Sequence, residues 1–177
     1  MRSFHIFILL SLVVLSSCKK IDKLTNFYIE VREDLVVNPY NAVDETLDFW
    51  LFTAQITEIG LFDEYNTSVA ATDKIALSEF ELLLLDPDNQ NLEFIESIEV
   101  YFVNAIDDPL KVGWLDVLPE NADKQVELNF TSDNLKDRLL HSDNVVNVRI
   151  KTKSNEKIDI TLQLNYSFYI SSELNGS

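Results

Sequence analysis

From Ile158 to Ile170 every even position is apolar, and the odd positions are polar apart from Tyr169. A period of two held over that length predicts a β-strand with one face buried and the other wet. Just before it, Val146, Val148 and Ile150 alternate with Asn147, Arg149 and Lys151. The intervening Ser154-Asn155-Glu156 supplies turn residues, so the two strands are expected to form a terminal antiparallel hairpin. That turn has no glycine, which argues for a loop longer than two residues.

The same alternation places Val126, Leu128 and Phe130 on one face of a strand, and Ile98, Val100 and Phe102 on one face of another. Val112-Gly113-Trp114-Leu115 gives a short strand that stops at Leu118-Pro119-Glu120. In Ile75 to Leu85 the apolar set changes faces near Glu79, which a β-bulge would produce. Phe49 to Ile56 and Phe27 to Val37 complete the strands, and Asp86-Pro87-Asp88-Asn89 is a turn. Two short helices are expected. One follows the capping residues Thr131-Ser132-Asp133 and places Leu135, Leu139 and Leu140 on a face; the other carries Leu61, Phe62 and Tyr65. Both serve as lids over an open end of the fold, being too short to stand alone. These elements predict an all-β protein: a two-sheet antiparallel β-sandwich, immunoglobulin-like in general architecture, with one or two short crossover helices. A β-barrel is the alternative.

The start of the chain follows a different pattern. Arg2 precedes the apolar run Ile6 to Leu15, and Ser16-Ser17 are small residues ahead of Cys18. That is the layout of a secretory signal peptide, too short to span a bilayer. Leu15-Ser16-Ser17-Cys18 resembles the bacterial lipobox. The resemblance implies cleavage between Ser17 and Cys18, a diacylglycerol on the Cys18 sulfur and an acylated new amino terminus. At roughly 0.8 kcal/mol per buried CH₂, two or three acyl chains hold durably where one holds marginally. Lys19 stands where an Asp commonly retains Gram-negative lipoproteins in the inner membrane, so the outer membrane is the expected address. The expected division is a signal peptide over 1–17, the lipidated Cys18 with a tether over 18–26, the sandwich over 27–172 and a tail over 173–177. Extended, Lys19 to Asn26 spans at most about 28 Å.

Charge narrows the partners. The chain has 14 basic and 30 acidic residues, a net charge of −16. Such a domain repels phosphate backbones, so nucleic acid is not an expected partner. The acidic surface serves solubility, or meets a cationic partner or a loosely held divalent metal.

Candidate chemistry is sparse. Cys18 is committed to lipid and His5 leaves with the signal, so His141 is the one remaining histidine, in a setting that suits a helix terminus. No Ser-His-acid set and no zinc site of histidines and cysteines can be assembled from these residues, and no cofactor is expected. Asp86 to Asn91 resembles a calcium loop, but Asn91 and Ser97 stand where Gly and Glu are needed, and a β-turn explains the stretch better. Paired carboxylates could hydrolyse glycosides, yet the sequence singles out no pair. Trp50, Trp114, Tyr28, Tyr40 and Tyr101 are candidates for a sugar-stacking platform. Trp50 is in phase with Phe52, Ala54 and Ile56, which assigns it to the core. Tyr101 and Tyr169 fall on wet faces and are the better platform residues.

Phe94 to Tyr101, Gly113-Trp114-Leu115-Asp116, Leu135-Lys136-Asp137 and the final alternating strand together resemble small Gram-negative cell-envelope lipoproteins of uncharacterised function. The resemblance implies an all-β lipoprotein domain and carries no activity. Three functions are therefore in play. The first is a non-enzymatic binding or accessory module for a protein or glycan partner. The second is a carboxylate hydrolase of envelope or dietary polymer. The third is an adhesin-like subunit that polymerises through its last strand.

Overall fold

A computed structural model describes residues 26–38, 46–52, 62, 64–65, 67–105, 107–120, 122–139, 144–153 and 159–172. The predicted signal peptide, Cys18, the tether, Tyr40, Ala54, Ile56, Leu61, Leu140, His141 and the 154–158 turn lie outside the described residues. Two antiparallel sheets face each other. Sheet A holds β1 (Asn26–Val37), β3 (Thr72–Asp86), β6 (Gln125–Glu127) and β9 (Ile160–Ser172), in the order β1-β9-β3-β6. Sheet B holds β2 (Thr46–Phe52), β4 (Ile95–Val103), β5 (Leu110–Leu115), β7 (Asn129–Phe130) and β8 (Val145–Thr152), in the order β2-β8-β4-β5-β7. This is the predicted β-sandwich, with no closed barrel.

The core lies between the sheets, built from the apolar face of each strand. Leu162, Leu164, Phe168 and Ile170 of β9 meet Ile98, Val100 and Phe102 of β4 and Val146, Val148 and Ile150 of β8, all buried. The face switch in β3 occurs where the alternation placed it. Register slips between Leu77 and Glu79, so Ile75 and Leu77 face inward before Ser78 while Phe80, Leu82 and Leu84 do so after it. Gly113 is needed for a close approach. A Cβ there would overlap Cε1 of the buried Phe80 ring and lie 2.7 Å from its Cδ1.

The structure corrects four expectations. β8 and β9 do not form a hairpin: β8 pairs with β2 and β4 in sheet B, β9 with β1 and β3 in sheet A. Period two reports that one face is buried and says nothing about which neighbour supplies the hydrogen bonds. The strand expected over Val126 to Phe130 divides at Leu128, its first half pairing in sheet A and its second in sheet B. Trp50 is not in the core. Leu47, Phe49 and Leu51 pack against it instead, and Trp50 is 58% exposed. Finally, the helix α1 (Lys136–Leu139) is capped by Asn134 rather than by Thr131 to Asp133. Asn134 Oδ1 accepts from Lys136 N at 3.1 Å and from Ile75 N at 3.1 Å, stitching the helix start to β3.

One end of the sandwich is closed as expected. Leu135 and Leu139 are buried, and Phe62 meets the Phe27 ring edge-on at 5.8 Å while Tyr65 stacks on it at 4.1 Å. Among the described residues no helix is long and apolar enough to cross a membrane.

Candidate functional site

The alternation that turns Leu47, Phe49 and Leu51 inward turns Asp48 and Trp50 outward, and strand register fixes their neighbours. Across sheet B, Trp50 aligns with Asn147, Asn147 with Tyr101, and Tyr101 with Lys111. In the adjacent row Asp48 aligns with Arg149, Arg149 with Glu99, Glu99 with Trp114, and Trp114 with Asn129. The outer face of sheet B thus carries three aromatic side chains among polar ones. Its charges are internally matched. Lys111 Nζ donates to Glu99 Oε1 at 2.6 Å, Arg149 Nε to Asp48 Oδ1 at 3.1 Å, and Lys151 Nζ to Glu96 Oε1 at 2.7 Å. The Arg149 guanidinium also lies 4.8 Å from the Tyr101 ring centroid, and Tyr101 Oη donates to Glu99 Oε2 at 3.0 Å.

These contacts set the local titrations. The Lys111 hydrogen bond holds the Glu99 carboxyl below its ordinary range, and Glu99 in turn raises Lys111. Tyr101 is pushed up by burial and by Glu99. Asn147, fully buried in the middle of its row, donates from Nδ2 to Asp48 Oδ1 at 3.4 Å and to Phe49 O at 3.3 Å. Its Oδ1 has no donor among the described residues.

The outer side of sheet A differs in shape and charge. A cleft of about 480 Å³ runs across it, lined by Glu30 and Arg32 from β1, Asn165 and Ser167 from β9, Ser78 to Glu81 from β3, and Glu127, Leu128 and Phe130. Four glutamates share it with one arginine. Arg32 pairs with Glu30 at 3.3 Å, Ser167 Oγ donates to Glu79 Oε2 at 3.3 Å, and Asn165 Nδ2 donates to Glu81 Oε1 at 3.1 Å. Glu30 and Glu79 both align with Ser167, so their strands stand two spacings apart, roughly 9.6 Å. Among the described residues no group of three or more His, Cys, Asp and Glu is placed to hold a metal ion.

Of the aromatic candidates, the structure gathers Trp50, Tyr101 and Trp114 on sheet B, while Tyr28 and Tyr169 meet at 5.6 Å on the far side of sheet A. The Asp86 to Asn91 stretch is a turn, in which Asn91 Oδ1 accepts from Glu93 N at 3.1 Å and Lys124 pairs with Asp88 at 2.9 Å. Cys18 and Ser17 lie outside the described residues. Sequence reasoning missed Asn147, Arg149, Glu99 and Lys111 as site residues, and also the cleft glutamates. Each is only an outward polar position on its strand, and the strand order that makes them neighbours is not written locally.

No family model matches the chain, and no curated protein matches it. Among solved structures, a Desmodium yellow mottle tymovirus structure aligns at 12% identity and a TM-score of 0.31, covering 86% of this chain and 91% of that one. A turnip yellow mosaic virus structure aligns at 13% identity and a TM-score of 0.31, over 85% of this chain and 98% of that one. Likeness of this order neither adds to nor subtracts from the sandwich described above.

Proposed function

We propose that the protein is a cell-envelope lipoprotein, held in the outer membrane through acyl groups on Cys18, whose sandwich is a non-enzymatic binding module for a protein or glycan partner. The observation that carries the binding role is the outer face of sheet B. There an exposed Trp50 shares the face with the half-buried Tyr101, two strands away, and Trp114, three strands away, all outside the core on paired strands. Large aromatic surface left open to water is a recognition feature, since burying it drives association. The lipobox-like Leu15 to Cys18 supports the anchor, and the net charge of −16 supports a partner other than nucleic acid.

Two measurements test the reading. Intact-mass analysis of the chain from native membranes is expected to give an acylated Cys18 as the first residue; a free thiol there, or a cut elsewhere, overturns the anchor. Affinity capture from detergent-solubilised envelope is expected to recover a partner that Trp50→Ala loses; no difference between the two baits overturns the binding face. A second reading, carboxylate hydrolysis, is favoured by the cleft that brings Glu30 and Glu79 to opposite sides of Ser167. The strand separation of roughly 9.6 Å lies near the upper end of the roughly 6.5–9.5 Å between the carboxyls of an inverting pair, which leaves room for a water between acid and base. Under this reading turnover of a polysaccharide falls by about 10²-fold or more in both Glu30→Gln and Glu79→Gln. Equal turnover in all three proteins removes it. The strand-exchange reading loses its motive, because β9 is central in sheet A and paired on both sides.

A further inference from the structure

We infer that the partner of the sheet B face is an uncharged glycan chain, lying across the strands along the row Trp50, Asn147, Tyr101. The inference rests on the binding-module reading and goes beyond it by naming the ligand chemistry. Three observations carry it.

The first is charge. Among the described residues Lys111, Arg149 and Lys151 are each bonded to a carboxylate on this same face, so no cation is left over to attract a polyanion. A chain of net charge −16 also repels anionic polymers at long range.

The second is the mixture of surfaces. A sugar ring has an apolar face of C–H groups and a rim of hydroxyls, so it needs a flat ring beneath and planar donors and acceptors beside it. Trp50 and Tyr101 supply rings two strand spacings apart, roughly 9.6 Å, and Trp114 stands in the next row. The carboxylates of Asp48 and Glu99 and the guanidinium of Arg149 surround them, already oriented by their mutual bonds. Little side-chain entropy remains to be lost on binding.

The third is Asn147. Both side-chain hydrogen bonds it makes run from Nδ2 toward β2, and Oδ1, between the two aromatic positions, lacks a donor among the described residues. A buried acceptor left without a partner is costly, and since Asn147 is closed to solvent, a hydroxyl brought between the rings satisfies it only as the side chains over it part.

The chain has two tryptophans, Trp50 and Trp114, and both lie on this face, so its intrinsic indole fluorescence reports on this surface alone. The experiment titrates the full chain in detergent micelles with three probes: a neutral β-linked glucan oligosaccharide, a neutral α-linked one and an anionic uronic-acid oligosaccharide. The expected result is a saturable emission change with a neutral probe. Affinity should fall at least tenfold in Trp50→Ala and be largely restored in Trp50→Phe, with unchanged circular dichroism. Saturable binding of the anionic probe in preference to both neutral ones overturns the inference. So does the absence of any emission change. In that last case a protein whose capture from the envelope depends on Trp50 preserves the binding-module reading, whereas no Trp50-dependent partner of either kind overturns both.

Discussion

Tyr166 shows how one side chain can be out of step with the apolar core around it. It is 2% exposed, faces inward from β9, and its hydroxyl has no partner among the described residues. Burial, with Glu33 adding to it, pushes that hydroxyl far above the ordinary tyrosine range. Removing a buried hydroxyl that bonds to nothing relieves desolvation without breaking a bond, so Tyr166→Phe should stabilise by about 1 kcal/mol, or 2–4 °C in Tm at this size. Thermal melts check it, and a loss of stability would mean the hydroxyl has a donor or acceptor after all. Glu33 gives a pH-dependent counterpart. It shares the inward face of β1 with Val31 and Leu35, and burial, then Asp34, raise its carboxyl above the ordinary 4.5. A raised folded value means the native state holds this proton more tightly than the unfolded chain. The contribution is therefore fully present below 4.5 and is lost as pH rises through the folded value. Glu33→Gln should accordingly raise Tm at pH 7 and leave it unchanged near pH 3. Gly113→Ala should destabilise by about 1–3 kcal/mol through the Phe80 overlap. Adding Phe80→Leu should recover part of that loss, which a denaturant titration of the double variant would measure.

Among the elements, the long regular strands were legible and their partners were not. The alternation in Ile158 to Ile170 is unambiguous because polar residues occupy nearly every outward position, and β9 follows it. From Phe49 to Phe52 both alternating sets are apolar, Phe49 and Leu51 against Trp50 and Phe52, and only Thr46 and Asp48 mark the Trp50 set as the wet one. A slip of one residue exchanges the two faces, so the local pattern marks the phase only weakly. The sheet decides it by burying the first set. The candidate platform was legible as residue types, since Trp50, Tyr101 and Trp114 were all singled out, but their convergence required the order β2-β8-β4-β5. Strand position also predicts local stability. β9 and β8 are bonded on both sides, whereas β1 pairs with β9 and β2 with β8. Amide exchange followed by mass spectrometry should find peptides from β8 and β9 slowest and β2 the first long strand to open. Equal protection of β2 and β8 would contradict this.

At the scale of the whole molecule, the two outer faces divide the charge unequally. Sheet B balances its cations against its carboxylates, and the cleft on sheet A is left with Glu79, Glu81 and Glu127 beyond the Arg32–Glu30 pair. Self-repulsion therefore weakens the fold at low ionic strength. Raising the salt from about 0.01 M to 0.15 M shortens the screening length from about 30 Å to 8 Å. Tm should rise by about 2–4 °C, because exposed ion pairs lose at most about 1 kcal/mol each while the net repulsion is relieved throughout. A fall in Tm over the same range would show that the paired face outweighs the unpaired one.

The central place of β9 also governs when the molecule can come into being. β1 waits for residues near the other terminus, with Asn26 opposite Ser171 and Val37 opposite Ile160, and β3 takes its longest pairing from the same late strand. Half of the sandwich has no scaffold until that final segment has been synthesised, so assembly is slow and nearly all-or-none. Loss of its last dozen residues would take Tyr166 to Ser172 from β9 and leave Asn26 to Val31 of β1 and the first half of β3 without that partner, ready to stick to other chains.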